Sequence, residues 1–271
     1  MKYRKFEAVH IFLKLGKLNT PTTFLMKFIE HIKLSHRAHK YKNKEDKGGI
    51  KYILNNVKAG QTVFDIGAHK GGYLYLMLNR IGVNGRLFAF EPQLNLYTYL
   101  TKIKTLFNWH NVIVEHLALS DTYGNATLYI PRNKSRLSSP ASTLIVPPER
   151  KNIRTEEVVP VETLDRYCQK NNIKPNFLKI DTEGNELNIL KGGIQTIKKY
   201  RPKIFMECEA RHVGREKVFE TFKFLDDLEY RGSFIFGADR IPLTAFNFEI
   251  YQNPLTEKKM YCNNFIFDTD G

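Results

Sequence analysis

Two acids, each placed at the end of an apolar run, carry the first chemical signal in this chain. Val63-Phe64-Asp65-Ile66-Gly67-Ala68-His69-Lys70-Gly71-Gly72 reads as a strand, Thr62 to Ile66, a glycine turn, and an apolar-periodic helix from Gly72 to Ile81. Phe88-Ala89-Phe90-Glu91-Pro92 reads as a second strand that ends at another acid. In an open parallel sheet, ligands sit outside the carboxyl ends of the strands, so Asp65 and Glu91 are expected to face one crevice. Gly67 permits a tight turn and a close approach of backbone to ligand. Glu91 lies 24 positions after Gly67, near the spacing of the acid that grips ribose hydroxyls in dinucleotide folds. The fingerprint of those folds is nevertheless broken, because His69 stands where a second glycine belongs. Asp65, just before the turn, would also repel a pyrophosphate. An acid there suits a nucleoside cofactor with positive charge and no phosphate, and S-adenosylmethionine, with its sulfonium and ammonium groups, answers that description. The bland alternative is a plain βαβ unit with a solvated Asp and a turn glycine.

A second cluster follows the same logic. After Asn176, Phe177 to Ile180 is apolar but for Lys179, and the stretch ends at Asp181, with Glu183 and Gly184 just beyond. Ile204-Phe205-Met206-Glu207-Cys208-Glu209 brings two more carboxylates to the same rim, and His212 comes next. Lys179, inside its strand, is expected to pair with one of these acids in a structural role.

The elements that must position these groups alternate along the chain. Strands are expected near 62–66, 86–91, 112–117, 176–181, 203–208, 231–236 and 263–267, and helices near 71–81, 93–106, 163–171, 185–199 and 214–228. Such alternation predicts a parallel sheet covered by helices on both faces. Ala126–Ile130 and Val158–Val161 look like extra strands around a long loop, Pro131–Arg154. That loop holds Arg132, Lys134, Arg136, Arg150 and Lys151, and is expected to fold over the site mouth as a lid.

The net charge is +14, and residues 1–50 hold twelve Lys and Arg against four Asp and Glu, a net +8 in under a fifth of the chain. Thr20 to Lys40 reads as a helix with Pro21 near its start and a broad apolar stripe at Phe24, Leu25, Phe28, Ile29, Ile32 and Leu34. It is expected to dock on the main domain, to pair with a second subunit, to lie on an anionic membrane, or to attract an acidic polymer. The histidines in this segment read as surface residues. Val9 to Leu15, interrupted by Lys14, is too short for a membrane span and lacks a clear cleavage site. Cys168, Cys208 and Cys262 are odd in number and far apart, which gives no disulfide framework or zinc spacing; buried thiols in a reducing cytoplasm are the simple expectation.

Several segments taken in order resemble the FkbM family of S-adenosylmethionine-dependent methyltransferases, whose characterised members methylate hydroxyl oxygens. They are Val63 to Gly72, Ala89 to Pro92, Ala118-Leu119-Ser120-Asp121, Val161 to Asp165, Leu178 to Glu186 with Leu190-Lys191-Gly192-Gly193, and Pro202 to Glu207. The resemblance implies an α/β, Rossmann-like class I methyltransferase fold with a seven-stranded, mostly parallel sheet whose last strand is antiparallel. It covers roughly residues 60–210, within a methyltransferase domain expected over 49–271. Residues 1–48 would then be a basic helical extension. Carried over by position, Asp65, Gly67 and Gly71 would line the methionine part of the cofactor, with Ala68 and Pro92 beside it. Glu91 would take both ribose hydroxyls, and Ser120 and Asp121 would lie at the adenine edge, with a turn or helix cap as the alternative for that pair. His69 and Lys70 depart from the small residue and glycine that many methyltransferases carry; His69 would sit near the sulfonium.

Methyl transfer to a hydroxyl needs positioning, exclusion of water and a base for the hydroxyl proton. The candidate catalytic residues are Asp181, Glu183, His69 and His212, with Asp181 favoured for its central strand end, where it would also border the cofactor. A divalent metal held by Asp181, Glu183 and Glu207 is the alternative use of those acids, although their spacing is not diagnostic. The expected acceptor is a hydroxyl of a sugar, glycan or secondary metabolite, and an anionic one if the loop cations take part. Nucleic-acid methylation and a non-catalytic binding role for the basic helix are the competing readings. The chain lacks an Asn-Pro-Pro-Tyr-like motif or a catalytic-cysteine motif, which weighs against the first of these. The expected location is cytoplasmic, with membrane contact through the N-terminal helix left open.

Overall fold

The structure is a computed structural model and describes residues 21–131, 142–144 and 153–269. The first element is a 20-residue helix, α1 (Pro21–Lys40), opened by a proline at its first turn and closed by Arg37, His39 and Lys40, which suit the negative end of the helix dipole. One π-helical turn, Tyr41–Glu45, follows it. Asp46 then caps α2 (Lys47–Asn56), its carboxylate accepting the Gly49 N–H at 3.0 Å. A cap of this kind is worth about 1 kcal/mol.

The core is an eight-stranded sheet in the order β10-β9-β11-β8-β7-β1-β2-β3. Its parallel heart is β8 (Lys203–Glu207), β7 (Phe177–Ile180), β1 (Thr62–Ile66), β2 (Arg86–Phe90) and β3 (Val112–Glu115). β11 (Asn264–Asp268) runs antiparallel to both β8 and β9 (Arg231–Phe236). β10 (Asp239–Pro242) then folds back on β9 as a hairpin. The fold class is therefore the expected α/β arrangement with a mostly parallel sheet, and the strand count is corrected from seven to eight. The added strand, β10, is four residues of mixed polarity, too short to announce itself by alternation.

A separate three-stranded sheet of β4 (Ala118–Ser120), β6 (Ile153–Thr163) and β5 (Gly124–Pro131) stands beside the main one. The expected helix over 185–199 is two helices, Glu186–Lys191 and Ile194–Tyr200, separated at Gly192-Gly193. A Cβ on Gly192 would lie 2.1 Å from the Ser120 carbonyl oxygen, so the break lets this segment press on β4.

Alternation along the central strands divides the core into two layers. Phe64, Ile66, Phe88 and Phe90 face one side, under the helices that follow β6, β7 and β8. Val63, Leu87, Ala89 and Phe177 face the other, under α2 and α3 (Gly72–Ile81). α1 docks on this second side through Leu34 and Ala38, both buried, and through Arg37, which donates to the Lys70 carbonyl at 3.0 Å and the Tyr99 hydroxyl at 2.8 Å. The three cysteines are free and buried. Among the described residues, no helix is long and apolar enough to cross a membrane. The expected lid residues Arg132, Lys134, Arg136, Arg150 and Lys151, and the segment Val9–Leu15, lie outside the described residues. Thr143, inside the same loop, pairs with Tyr129 of β5 through two backbone hydrogen bonds.

Candidate functional site

The strand order reverses between β1 and β7, and a cavity of about 480 Å³ opens at the carboxyl ends of these strands and of β2. That volume falls within the usual range for small-molecule sites. Of the residues singled out in the sequence, Gly67, Ala68, His69, Glu91, Pro92, Asp181 and Glu183 meet on its wall.

Glu91 is the most constrained of these. It is buried, with one carboxylate oxygen accepting the His69 N–H at 2.8 Å and the other accepting the Gln93 N–H at 2.9 Å. Burial raises its pKa to about 7, against the two backbone hydrogen bonds, which lower it. Each oxygen keeps a further acceptor site. His69 supplies its N–H because its backbone lies in the left-handed region, at φ +48°.

Asp65 does not reach the cavity, which corrects its expected place beside the cofactor. It is completely buried and paired with Lys179 at 3.1 Å. The parallel register sets Asp65 directly opposite Lys179, so the two side chains emerge on the same face. Lys179 also lies 3.6 Å from Asp181 and donates to the Gly67 carbonyl at 2.8 Å. The buried ammonium thus ties the ends of β1 and β7 together. Burial lowers its pKa, but Asp65 and Asp181 more than offset that and hold it above the ordinary lysine value.

Gly67 has a different reason for being glycine than ligand approach. A Cβ there, at φ +77°, would lie 1.8 Å from the Asp181 carbonyl oxygen. Gly67→Ala is therefore expected to force the loops after β1 and β7 apart. The predicted loss is at least about 2 kcal/mol of stability, read by denaturant titration. A variant as stable as wild type would show that the close approach is not maintained in solution.

The acid rim is organised by its neighbours. Glu183 (φ +57°) and Gly184 (φ +108°) form a turn that Glu186 braces, one of its carboxylate oxygens accepting the N–H and hydroxyl of Thr182 and the N–H of Gly184. A non-glycine residue in the left-handed region costs energy and persists only where its surroundings fix it. Asp181 is partly exposed on the wall. Burial, and then the charges of Glu183 and Asp65, raise its pKa, while Lys179 opposes the shift.

His212 is not on the cavity wall. Its Nε2 lies 2.9 Å from Glu183 and 3.8 Å from Glu209. Burial works against its charge, but these two carboxylates win and raise its pKa to about 9. At neutral pH it is an imidazolium that holds Glu183, which corrects its candidacy as a base. Glu207 does line the cavity, and accepts from Asn263 at 2.8 Å. Burial, then Asp181 and Glu209, raise the pKa of its carboxyl well above the ordinary value. Among the described residues, no group of three or more His, Cys, Asp or Glu is placed to hold a metal ion.

The other expected contacts shift by one or two residues. Ser120 is buried with its hydroxyl on Asp121, Asp121 is exposed, and neither lines the cavity; the apolar run Leu117–Leu119 does. Gly71 opens α3 facing Leu100 and Leu34, and it is Gly72 that borders the cavity.

The feature missed altogether is the N-terminal wall. Arg37, Lys40, Tyr41 and Glu45 line the cavity. The Tyr41 ring stacks on Tyr73 with centroids 4.9 Å apart, and a Cβ on Gly72 would lie 2.3 Å from the Tyr41 ring. Tyr73 in turn donates to Asp46 at 2.6 Å. The second glycine of the Gly71-Gly72 pair was the available signal: it leaves room for an aromatic ring from a distant segment.

A family model described as the methyltransferase FkbM domain matches residues 65–235. The chain belongs to this family. The match spans β1 to β9 and includes every carboxylate of the cavity wall contributed by the sheet ends, whereas the wall from α1 and Tyr41 lies outside it. Among solved structures, this member of the family is similar to a methyltransferase FkbM from Methylobacillus flagellatus KT, with a TM-score of 0.48 and 16% identity over 80% of this chain and 50% of that one. It therefore spans about half the length of that relative. It is also similar to an S-adenosylmethionine-dependent O-methyltransferase from Thermotoga maritima, with a TM-score of 0.42 and 12% identity over 87% and 72% of the two chains. A third is fibrillarin from Aeropyrum pernix in complex with S-adenosyl-L-methionine, with a TM-score of 0.43 and 12% identity over 79% and 68%. No curated protein matches the chain.

Proposed function

We propose that this FkbM methyltransferase uses S-adenosylmethionine to methylate a hydroxyl of a sugar, glycan or secondary metabolite. The observation that carries the reading is Glu91, whose carboxylate is fixed by two backbone N–H groups at the cavity wall with an acceptor site left on each oxygen. A pair of vicinal hydroxyls is the donor set that matches it. The wall beside it is apolar at Leu117–Leu119, as a purine ring requires, and carboxylates rather than phosphate-binding cations dominate the ends of β2, β7 and β8. These features fit a cationic nucleoside. When bound, S-adenosylmethionine supplies an activated methyl group.

The chain's own residues then have to orient the acceptor and take its proton. Asp181 is the group assigned to the proton, because it stands at the centre of the rim and its raised pKa makes it a stronger base than an ordinary carboxylate. Lys179 positions it. Glu183, held by the His212 imidazolium, and Glu207, whose pKa is raised by burial and by Asp181, supply carboxyl groups for neighbouring hydroxyls. His69 serves through its backbone N–H on Glu91. Arg37 and Lys70, beside the Lys40–Glu45 ion pair, leave one side of the same cavity net cationic, which suits an acceptor that carries negative charge.

Calorimetric titration of S-adenosylmethionine and its demethylated product tests this reading, alongside Glu91→Ala. Micromolar binding by wild type and a loss of at least about tenfold in the variant are expected, since a charge-assisted hydrogen bond is worth about 1.5–3 kcal/mol. Equal affinities would remove Glu91 from the cofactor site.

A further inference from the structure

α1 presents a face that the other described residues leave largely exposed. Its inner side is committed to Leu34, Ala38, Arg37 and Glu30, the last accepting from Tyr99 at 2.8 Å. On the opposite side, Leu25, Phe28, Ile29 and Ile32 are 56%, 50%, 41% and 50% exposed. Their spacing of three and four residues puts all four on one face. At 100° per residue, Lys33, His36, His39 and Lys40 continue the same sector towards the helix C-terminus. The outer face is thus apolar for its first two turns, while its last two carry His36, His39 and two lysines, Lys33 and Lys40, each 2.6 Å from a carboxylate, of Glu30 and Glu45 respectively. Contiguous exposed apolar side chains of this size mark an interaction surface.

We propose that this face docks the protein on an anionic lipid bilayer. Charge decides between the possible occupants. The face lies within residues 21–50, which hold seven Lys and Arg against three Asp and Glu, a net +4, so a second copy would bring like charge against like, whereas anionic headgroups complement it. A helix with a polar-basic part and large apolar side chains lies in the interface, with its apolar part at the acyl boundary. Here the two parts follow one another along the axis, so the N-terminal half enters and the C-terminal half meets phosphate. Arg37 and Lys40, on the cavity wall, sit about 8–12 Å along the axis from Ile32. Docking therefore brings one edge of the cavity close to the surface, where a membrane-borne acceptor would be presented. The docking itself does not depend on the methyl-transfer reading.

The test is flotation of the full chain with vesicles of phosphatidylcholine alone or with added phosphatidylglycerol, for wild type and Phe28→Ser/Ile32→Ser. Wild type is expected to float with the anionic vesicles and not with the neutral ones, and to be released by salt. The double variant should keep its thermal midpoint and bind at least about tenfold more weakly, because two large apolar burials are removed. Wild type that stays behind with anionic vesicles overturns the proposal. So does a double variant that floats like wild type, which would move the binding elsewhere. Sedimentation velocity closes the remaining route: a wild-type dimer that vesicles do not dissociate and the double variant converts to monomer would show that a second copy covers this face.

Discussion

Replacing Lys179 with methionine is expected to cost about 3–5 kcal/mol, the usual consequence of removing one partner of a buried ion pair. In a chain of this size that is a fall in thermal midpoint of roughly 6–20 °C. The magnitude follows from what is left behind. Asp65 is fully buried, and its pKa is raised by burial and lowered chiefly by Lys179. Without the ammonium it must either protonate or remain a lone charge in an apolar layer. The Gly67 carbonyl loses its 2.8 Å donor as well, and the loops after β1 and β7 lose their common tie. Combining Lys179→Met with Asp65→Leu should return much of the stability, since a buried pair exchanged for apolar groups of similar volume is often neutral. The double variant is still expected to bind cofactor weakly, because Asp181 and Gly67 have lost their positioning group. Denaturant titration of both variants decides it. A single variant within about 1 kcal/mol of wild type, or a double variant as unstable as the sum of its parts, would show that the pair does not tie the strands.

The same pair shows where sequence reasoning stops. The strands and their terminal acids were legible, because a buried parallel strand is a short apolar run and an acid at its end is conspicuous. Glu91 could be placed at a site because its spacing from Gly67 is local to one βαβ unit. Asp65 and Lys179 are 114 positions apart, and only the register of β1 on β7 sets them opposite each other. Nothing in either segment distinguishes an acid that faces a ligand from one that faces a buried lysine. The N-terminal wall was hidden for a related reason. Tyr41 reaches the cavity through a π-helical turn, and its partner Tyr73 and the space over Gly72 belong to α3, so the contact is tertiary at every point. His212 illustrates a third limit, because its role turns on protonation, set by Glu183 and Glu209 across a loop of positive φ.

Cofactor binding is expected to be pH-dependent through Glu91, with a sign fixed by the direction of its shift. In the free protein burial holds its carboxyl at about 7, above the ordinary value of 4.5. For the protein alone, a raised carboxyl contributes stability that is fully present below the unfolded value and is lost as pH rises through the folded one. Ligand hydroxyls reverse this preference, because they donate to the ionised form and lower the pKa in the complex. Binding near pH 7 therefore releases a proton. Affinity should fall as pH drops from about 7 towards 5, by up to about tenfold per unit while the free carboxyl is protonated and the bound one is not. Above about 8 it should level off. Glu91→Gln keeps the shape and the hydrogen bond from a neighbouring N–H to its remaining oxygen but cannot ionise, so its affinity should be lower at neutral pH and flat across this window. Titration calorimetry in buffers of different ionisation enthalpy reads the proton directly: a fraction of a proton released by wild type at pH 7, and none by Glu91→Gln. A wild-type affinity independent of pH between 5 and 8 would mean that the ligand does not engage the Glu91 carboxylate. The hydroxyl-recognising end of the cavity would then have to be sought among Asp181, Glu183 and Glu207 instead.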